Sequence, residues 1–187
     1  LLHKWFHDTE TFGGIDEVNA MTVATIGLDG FPKSRVVLLK KFNEEGFIFY
    51  TNYNSEKGKA IAANPNLCLS FFWPAMERQV IIKGVAEKTP ESVSDGYFAS
   101  RPDGSKLGAI VSNQSSIIPS RSFIEDNLKK LEREVSNKEI ERPVYWGGYL
   151  VRPQSVEFWQ GRPNRLHDRI RYTLQTDYSW KIERLSP

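Results

Sequence analysis

Titratable side chains recur at every second position after a turn at residues 161–164, which contains glycine, proline and asparagine. The flanking aromatic and β-branched residues predict strands, and the second of these strands runs over 165–173. Alternate side chains of an extended strand share a face, so we expect Arg165, His167 and Arg169 to lie together. A row of guanidinium and imidazole groups suits a bound anion or an electron-rich ring, although a solvated strand face explains the pattern equally well.

The chain carries neither of the common glycine-rich phosphate-binding motifs, a dinucleotide-binding loop after a strand or a Walker A loop. No Ser–His–acid arrangement stands in a recognisable context either. Redox chemistry would therefore need a bound cofactor, because no protein side chain here accepts a hydride. Phosphate groups on a cofactor or a substrate would have to be held by side-chain cations and hydroxyls.

Two segments place cations and hydroxyls on elements that could hold a phosphate. Arg35 and Lys40 lie on one predicted strand, an odd number of residues apart, so they face opposite ways and suit two different ligands. Tyr97 and Arg101 lie one helical turn apart on one face, and Ser105 stands where the next helix begins and free N–H groups favour an anion. Charges in water at the ends of a strand and of a helix are the simpler explanation for both segments.

The elements that position these residues are short strands joined by hairpin turns, with helices in the connections. The predicted strands cover 20–28, 34–41, 47–51, 67–73, 79–87, 146–152, 156–160, 165–173 and 180–185. The predicted helices cover the first dozen residues, 55–63, a segment capped by Thr89 that runs to about Ser100, a short segment near Ser105, and a longer one capped by Ser120. Regular βα alternation does not occur, so a mainly β (α+β) fold, an antiparallel barrel with helical insertions, is predicted.

No linker or internal repeat divides the sequence, which predicts one domain over 1–187, and the start at Leu1 suggests a missing N-terminal segment. The net charge of +2 gives no global field that favours nucleic acid. No apolar run reaches transmembrane length and no signal peptide is visible, so a cytoplasmic location without a membrane partner is expected.

Cys68 lies in an apolar run and is expected to be a buried structural thiol. His3 and His7 have metal-ligand spacing but no third ligand, so no metal site is predicted.

The C-terminal signature of the pyridoxine 5′-phosphate oxidase family resembles two strings of this chain, Glu157-Phe158-Trp159-Gln160-Gly161 and Asn164-Arg165-Leu166-His167-Asp168-Arg169. The family's substrate-phosphate motif is similar to Tyr97-Phe98-x-Ser100-Arg101-Pro102-x-x-Ser105. The resemblance extends from about Ala20 to Pro187 and implies an FMN-binding split barrel of antiparallel strands. It also implies a homodimer, with FMN in the cleft between the subunits.

The reaction that the resemblance implies is the oxidation of pyridoxine 5′-phosphate or pyridoxamine 5′-phosphate by O2 to pyridoxal 5′-phosphate. Hydrogen peroxide is the second product, and the amine substrate also releases ammonia. One alternative is a related split-barrel FMN oxidoreductase, such as a phenazine-pathway oxidase or a flavin reductase. Another is a non-catalytic carrier of flavin or pyridoxal phosphate. The substrate-phosphate motif argues against the related oxidoreductases.

The resemblance further implies roles for individual residues. The substrate group consists of Lys40, Tyr97, Arg101, Ser105, Arg165, Leu166 and His167, with Arg165 and His167 as the catalytic candidates. The FMN group consists of Arg35, Val36, Val37, Leu38, Tyr50, Thr51, Lys57, Gln79, Gln114, Ser115, Trp159 and Arg169. The chain departs from the family pattern at Glu56, where an arginine is expected, so a cofactor contact from this position is in doubt.

Overall fold

The computed structural model describes residues 1–135 and 138–187, and within them nine strands and five helices. The helices are α1 (Leu2–Phe12), α2 (Glu56–Ala63), α3 (Glu91–Ala99), α4 (Asp103–Val111) and α5 (Arg121–Glu134). The strands are β1 (Ala20–Ile26), β2 (Pro32–Leu38), β3 (Lys41–Asn43), β4 (Gly46–Asn52), β5 (Asn66–Trp73), β6 (Arg78–Lys88), β7 (Trp146–Gln160), β8 (Asp168–Leu174) and β9 (Trp180–Leu185). Single turns of 3-10 helix cover Pro74–Met76 and Pro163–Arg165.

The strands of the described residues pair antiparallel throughout and form one sheet. The order along the sheet is β2-β1-β5-β6-β7-β4-β3, with β8 paired to β7 and β9 paired to β8. The 15-residue strand β7 pairs with β4 through its first half, with β8 through its second half and with β6 along both. Strand β2 also contacts β4, so the sheet curls into a half-closed barrel. The predicted mainly β, antiparallel fold with helical insertions is confirmed.

Alternation along the strands separates a core face from an outer face of the sheet. In β5 the side chains of Leu67, Leu69 and Phe71 are buried in the core, whereas Cys68 and Phe72 point to the outer face. The expectation that Cys68 is a buried structural thiol is therefore wrong, because its thiol is only half-buried. The apolar run that suggested burial is a strand with two different environments.

Helix ends follow the sequence prediction at one site and depart from it at another. The hydroxyl of Ser120 caps α5 as predicted, accepting a hydrogen bond from the N–H of Phe123 at 3.2 Å. Thr89 does not cap α3, because Pro90 occupies the cap position and the Thr89 hydroxyl lies 2.9 Å from Oγ of Ser94.

None of the helices in residues 1–135 and 138–187 is both long and apolar enough to cross a membrane.

The turn between β7 and β8 is longer than the sequence predicted. Strand β8 begins only at Asp168, and Arg165 has a positive φ of 62°, which is incompatible with an extended strand. The backbone N–H of Arg162 donates to Nδ1 of His167 at 3.1 Å and so fixes the imidazole within the turn. The prediction that Arg165, His167 and Arg169 share one strand face is therefore wrong, since only Arg169 lies in a strand.

Strand β7 is continuous where the sequence predicted two separate strands. Pro153 lies in the gap between them and pairs with Gly84, at the point where the register of β6 shifts. Proline lacks an N–H, and a bulge is one of the places in a sheet that tolerate it. A Cβ atom on Gly84 would lie 2.5 Å from the carbonyl oxygen of Arg152, so glycine permits the close approach of the two strands here.

Candidate active site

A cavity of about 830 Å³ opens between β2, β4, α3, α4 and the first residue of β7. Pockets for small ligands span about 300–1,000 Å³, so the cavity can hold a cofactor and part of a substrate. Twelve residues of the predicted substrate and FMN groups line it: Arg35, Val36, Val37, Leu38, Lys40, Tyr50, Thr51, Lys57, Tyr97, Arg101, Ser105 and Gln114. Strand β2 ends at Leu38, so Lys40 lies outside the strand. Arg35 and Lys40, which were expected to face opposite ways, therefore line the same cavity.

Lys57 is a buried cation on one wall of the cavity, only 8% exposed. It is the second residue of α2, which begins there because the Ser55 hydroxyl accepts from the N–H of Gly58. Its ammonium group donates to Oε1 of Gln114 at 2.9 Å and to Oγ1 of Thr51 at 3.2 Å. Within residues 1–135 and 138–187 it forms no salt bridge. Burial, with a smaller effect of the neighbouring Arg35, lowers the pKa of Lys57, and the charge of Glu56 opposes this shift only in part.

Arg35 on β2 lines the same wall with part of its guanidinium already anchored. Nη1 donates to Oγ1 of Thr25 at 2.7 Å and to the carbonyl oxygen of Lys33 at 3.0 Å. Nη2 lies 3.9 Å from a carboxylate oxygen of Glu56. Burial lowers the pKa of Arg35, yet arginine remains charged near neutral pH. The anchored half fixes the orientation of the side chain, and the other half is available to an anion.

A smaller cavity of about 340 Å³ adjoins the first, since Arg35 and Lys57 line both. Its remaining lining residues are Lys33, Ser34, Glu56 and Ser115. Ser115, predicted to contact the cofactor, therefore lies in this smaller cavity and not in the larger one. Three cations face one carboxylate here, which makes the smaller cavity strongly anion-attracting.

A second cationic group lies on the opposite wall, formed by α3 and α4. The guanidinium of Arg101 lies 4.7 Å from the ring centroid of Trp146, within the range of a cation–π contact. Its Nη1 atom is buried and has no hydrogen-bond partner in the described part of the chain. Burial lowers the pKa of Arg101. Tyr97 stacks on Tyr50 with ring centroids 3.9 Å apart, and Ser105 lies in the first turn of α4. A buried, unsatisfied guanidinium N–H is costly and indicates that a ligand completes this group.

Three further predicted cofactor residues lie outside the cavity, on the outer face of the sheet. Gln79, Trp159 and Arg169 are directly paired across β6, β7 and β8 and continue a row that begins at Phe72 in β5. Directly paired side chains share a face, and this face is opposite to the core. Arg169 forms a salt bridge with Glu157, with a nitrogen–oxygen distance of 2.8 Å. Within one chain this row is separate from the cavity.

The predicted catalytic residues lie at the turn that follows this row. Arg165 and Leu166 are exposed, whereas the ring of His167 is half-buried against Trp159, with centroids 4.7 Å apart. Neither Arg165, Leu166 nor His167 lines the large cavity of the same chain. The structure thus divides the predicted site residues into a cavity group and an outer group.

Six residues that the sequence reasoning missed also line the cavity: Asn52, Pro102, Gly108, Ala109, Ser112 and Trp146. Trp146 is the most informative of them, because it supports both Arg101 and the stacked tyrosines, 5.5 Å from the Tyr50 ring. A tryptophan at the start of a strand is more often part of the core, so its sequence context did not point to the cavity. The others lie next to predicted residues and carry no separate signal.

Comparison with known proteins identifies the family. Residues 8–133 match the family described as "Pyridoxamine 5'-phosphate oxidase", and residues 146–187 match the "Pyridoxine 5'-phosphate oxidase C-terminal dimerisation region". A pyridoxine/pyridoxamine 5′-phosphate oxidase from Flavobacterium johnsoniae is 77% identical over 186 residues, covering 100% of this chain and 87% of that protein. A protein of the same name from a Nostoc species is 54% identical over 184 residues, covering 98% and 86%.

Solved structures show the same fold. PhzG from Burkholderia lata 383, in complex with tetrahydrophenazine-1-carboxylic acid, superimposes with a TM-score of 0.92 at 27% identity, covering 100% of this chain and 90% of that one. An FMN-binding protein from Nostoc punctiforme, related to pyridoxamine 5′-phosphate oxidase, gives a TM-score of 0.78 at 16% identity, covering 100% and 95%. The resemblance inferred from the sequence is confirmed: the chain belongs to the pyridoxamine 5′-phosphate oxidase family of enzymes.

Proposed function

We propose that this chain oxidises pyridoxine 5′-phosphate or pyridoxamine 5′-phosphate to pyridoxal 5′-phosphate and thereby serves vitamin B6 biosynthesis and salvage. The observation that carries the proposal is the pair of cationic groups on opposite walls of one cavity. Arg35 and Lys57 form one group and Arg101 lies in the other, while Lys40, which lines the same cavity, is assigned to the substrate. Two such groups suit a reaction in which the cofactor and the substrate each carry a phosphate.

The residues of the first wall fit the phosphate of FMN. Lys57 is buried and forms no salt bridge within residues 1–135 and 138–187, and Nη2 of Arg35 has only a 3.9 Å contact with Glu56. A phosphate would therefore supply a negative charge close to both cations. Thr51, Gln114 and Ser115 add hydroxyl and amide groups around it. When bound, FMN supplies the hydride acceptor, which O2 then reoxidises with formation of hydrogen peroxide.

The residues of the second wall fit the phosphate of the substrate. Arg101 brings a buried guanidinium N–H that has no partner among residues 1–135 and 138–187, and Tyr97 and Ser105 bring two hydroxyls. Lys40 lines the same cavity and adds an ammonium group. Holding the phosphate at a fixed site restricts the substrate ring to one orientation. The reacting carbon is then positioned before the hydride leaves, which makes the step effectively unimolecular.

The outer residues would act from the second subunit of a homodimer. Gln79, Trp159 and Arg169 form a row on the outer face, and His167 lies against Trp159, yet none of them lines the cavity of its own chain. Residues 146–187, which match the family's dimerisation region, include all of these except Gln79. In the proposed dimer, Arg165 and His167 contact the substrate ring, and Gln79, Trp159 and Arg169 contact the flavin, across the interface.

A phenazine-type oxidation is the second candidate, favoured by the TM-score of 0.92 with PhzG. One assay separates the two. The FMN-loaded protein is mixed with pyridoxine 5′-phosphate, pyridoxamine 5′-phosphate, unphosphorylated pyridoxine or tetrahydrophenazine-1-carboxylic acid, and hydrogen peroxide is followed with time. We expect peroxide and pyridoxal 5′-phosphate from the two phosphorylated substrates. Turnover of the phenazine alone would refute the proposal, and no turnover of any substrate would favour the carrier function.

A further inference from the structure

The smaller cavity contains a lysine and a glutamate whose combination departs from the family pattern. At position 56, where the resemblance leads us to expect an arginine, the chain has Glu56. This change removes one cation from the cofactor phosphate site and adds a carboxylate. A phosphate carries about two negative charges near neutral pH, so a carboxylate beside it is unfavourable unless another cation compensates.

The structure provides that cation from the neighbouring strand. Lys33 on β2 forms an ion pair with Glu56, and its Nζ atom also lies 3.3 Å from a carboxylate oxygen of Asp29. The hydrogen bond with Glu56 raises the pKa of Lys33, so its ammonium group stays charged. The side chain is 35% exposed and lines the smaller cavity together with Arg35 and Lys57.

The charges around the smaller cavity now suit a phosphate. Lys33, Arg35 and Lys57 contribute three positive charges to the lining and Glu56 one negative charge. Asp29, outside the lining, also pairs with Lys33, and the site with both carboxylates counted still has a net positive charge that attracts an anion. Glu56 reaches Lys33 with one oxygen and approaches Arg35 with the other, so it tethers two of the three cations at the rim. The carboxylate of Glu56 thus holds two of the cations in place and does not abolish the positive charge of the site.

We propose that Lys33 is a further ligand of the cofactor phosphate, taking the place of the cation that position 56 lacks, and that Glu56 positions its ammonium group over the smaller cavity. This proposal rests on the assignment of FMN to the cavity given above. It adds to that assignment a residue outside the family's FMN and substrate groups.

The test compares the affinity of the flavin-free full chain for FMN and for riboflavin, which lacks the phosphate, by quenching of flavin fluorescence. Lys33→Gln should weaken FMN binding about tenfold, the effect of losing one hydrogen bond to a charged group at a partly solvated site. Riboflavin binding should not change. The matched control, Lys130→Gln, removes an exposed lysine from α5 and should leave both affinities as in the parent protein. Equal losses for FMN and riboflavin, or no loss for FMN, would refute the role of Lys33.

Two double variants identify what Lys33 contributes. Lys33→Gln with Glu56→Gln should still bind FMN several-fold more weakly than the parent, because the ammonium ligand is missing; full recovery would mean that Lys33 only neutralises Glu56. Lys33→Gln with Glu56→Arg returns the cation to α2 and should restore FMN affinity to within about threefold. No restoration would refute the replacement. A parent protein that does not prefer FMN over riboflavin would refute the cofactor assignment itself, whereas a parent preference that Lys33→Gln retains would refute only this inference.

Discussion

Arg101 combines burial, a face-on contact with Trp146 and an N–H group without a partner in the described residues. If it holds only the substrate phosphate, Arg101→Ala should bind FMN normally and lose about 1.5–3 kcal/mol of substrate binding. That loss corresponds to a roughly tenfold to hundredfold rise in the apparent binding constant for pyridoxine 5′-phosphate. The preference over unphosphorylated pyridoxine should shrink by a similar factor in steady-state kinetics. Arg121→Ala, at a 91% exposed side chain on α5, is the control. Loss of flavin from Arg101→Ala would overturn the assignment to the substrate.

His167 should affect the chemical step and not the retention of cofactor. Its Nδ1 atom accepts from the turn backbone, which leaves Nε2 free to meet a substrate ring across the proposed interface. In His167→Asn the bound flavin should therefore be reduced about a hundredfold more slowly at saturating substrate, the lower end of the range for a general acid or base. Anaerobic stopped-flow bleaching of the flavin measures this step. His7→Asn, at an exposed histidine of α1, is the control, and bleaching of His167→Asn at the parent rate would contradict a role in the reaction.

The buried charge of Lys57 should lower the stability of the flavin-free protein and, at the same time, favour the binding of FMN. Because its folded pKa is lowered, the charged form costs stability below that pKa, and this cost disappears as pH rises toward the unfolded value of about 10.4. Lys57→Met should therefore stabilise the flavin-free protein by about 1 kcal/mol, or roughly 2–4 °C in Tm by calorimetry. The same variant should bind FMN at least tenfold more weakly. FMN affinity of the parent should also fall as pH rises through the Lys57 pKa. A lower Tm of flavin-free Lys57→Met would show that the buried charge is compensated.

Residue types predicted the site better than they predicted its geometry. The cavity brings together cations and hydroxyls of both the predicted substrate group and the predicted FMN group, because phosphate binding without a glycine-rich loop depends on a few such side chains. Trp146 was missed, since an aromatic residue at the start of a strand is usually part of the core. The pairing of Lys33 with Glu56 was missed as well, because it depends on how a strand and a helix meet in space.

At the scale of elements, Gly58 allows the backbone at Tyr53 to pack closely against α2, the helix that carries Lys57. A Cβ atom at this position would be 2.2 Å from the carbonyl oxygen of Tyr53, a backbone atom that cannot rotate away. Gly58→Ala should lower stability by about 1–3 kcal/mol and weaken FMN binding. Gly96→Ala is the matched control in α3, where a Cβ meets nothing within 4 Å, and it should stabilise by about 0.5–1 kcal/mol. Thermal unfolding of both variants tests the contrast, and equal Tm values would contradict it.

The sequence predicted elements where period and turn chemistry agreed. Runs rich in β-branched and aromatic residues, bounded by turn signals, predicted the strands β1, β4, β5 and β6, and Ser120 predicted the start of α5. The turn after β7 was mispredicted because alternation of charged residues does not require a strand. There the bonds from Arg162 to His167 and Asp168 favour a compact turn over extension. Likewise, continuity of β7 through Pro153 depends on a bulge that only the pairing with β6 creates.

At the scale of the whole molecule, the outer row predicts a dimer that is needed for cofactor binding. Phe72 opens this row and is 59% exposed in the single chain. Burying a phenylalanine contributes about 1.5–3 kcal/mol, and a twofold interface contains it twice. Phe72→Glu should therefore shift the protein toward monomer in sedimentation experiments and weaken FMN binding in parallel. Val144→Glu, at an 86% exposed side chain, should change neither. A monomeric Phe72→Glu that retains FMN and activity would show that one chain completes the site.

The position of β7 in the sheet has a consequence for the making of the protein. It lies between β6 and β4, both of which are synthesised well before it, and it also supplies Trp146 to the cavity. At about 5–20 residues per second, the ribosome needs roughly 3 to 12 s to proceed from Lys88 to Trp146. During that interval both earlier strands expose unpaired backbone edges, which are templates for association with other chains. The nascent chain is thus most vulnerable to aggregation in those seconds, and cofactor loading must wait until β7 has been made.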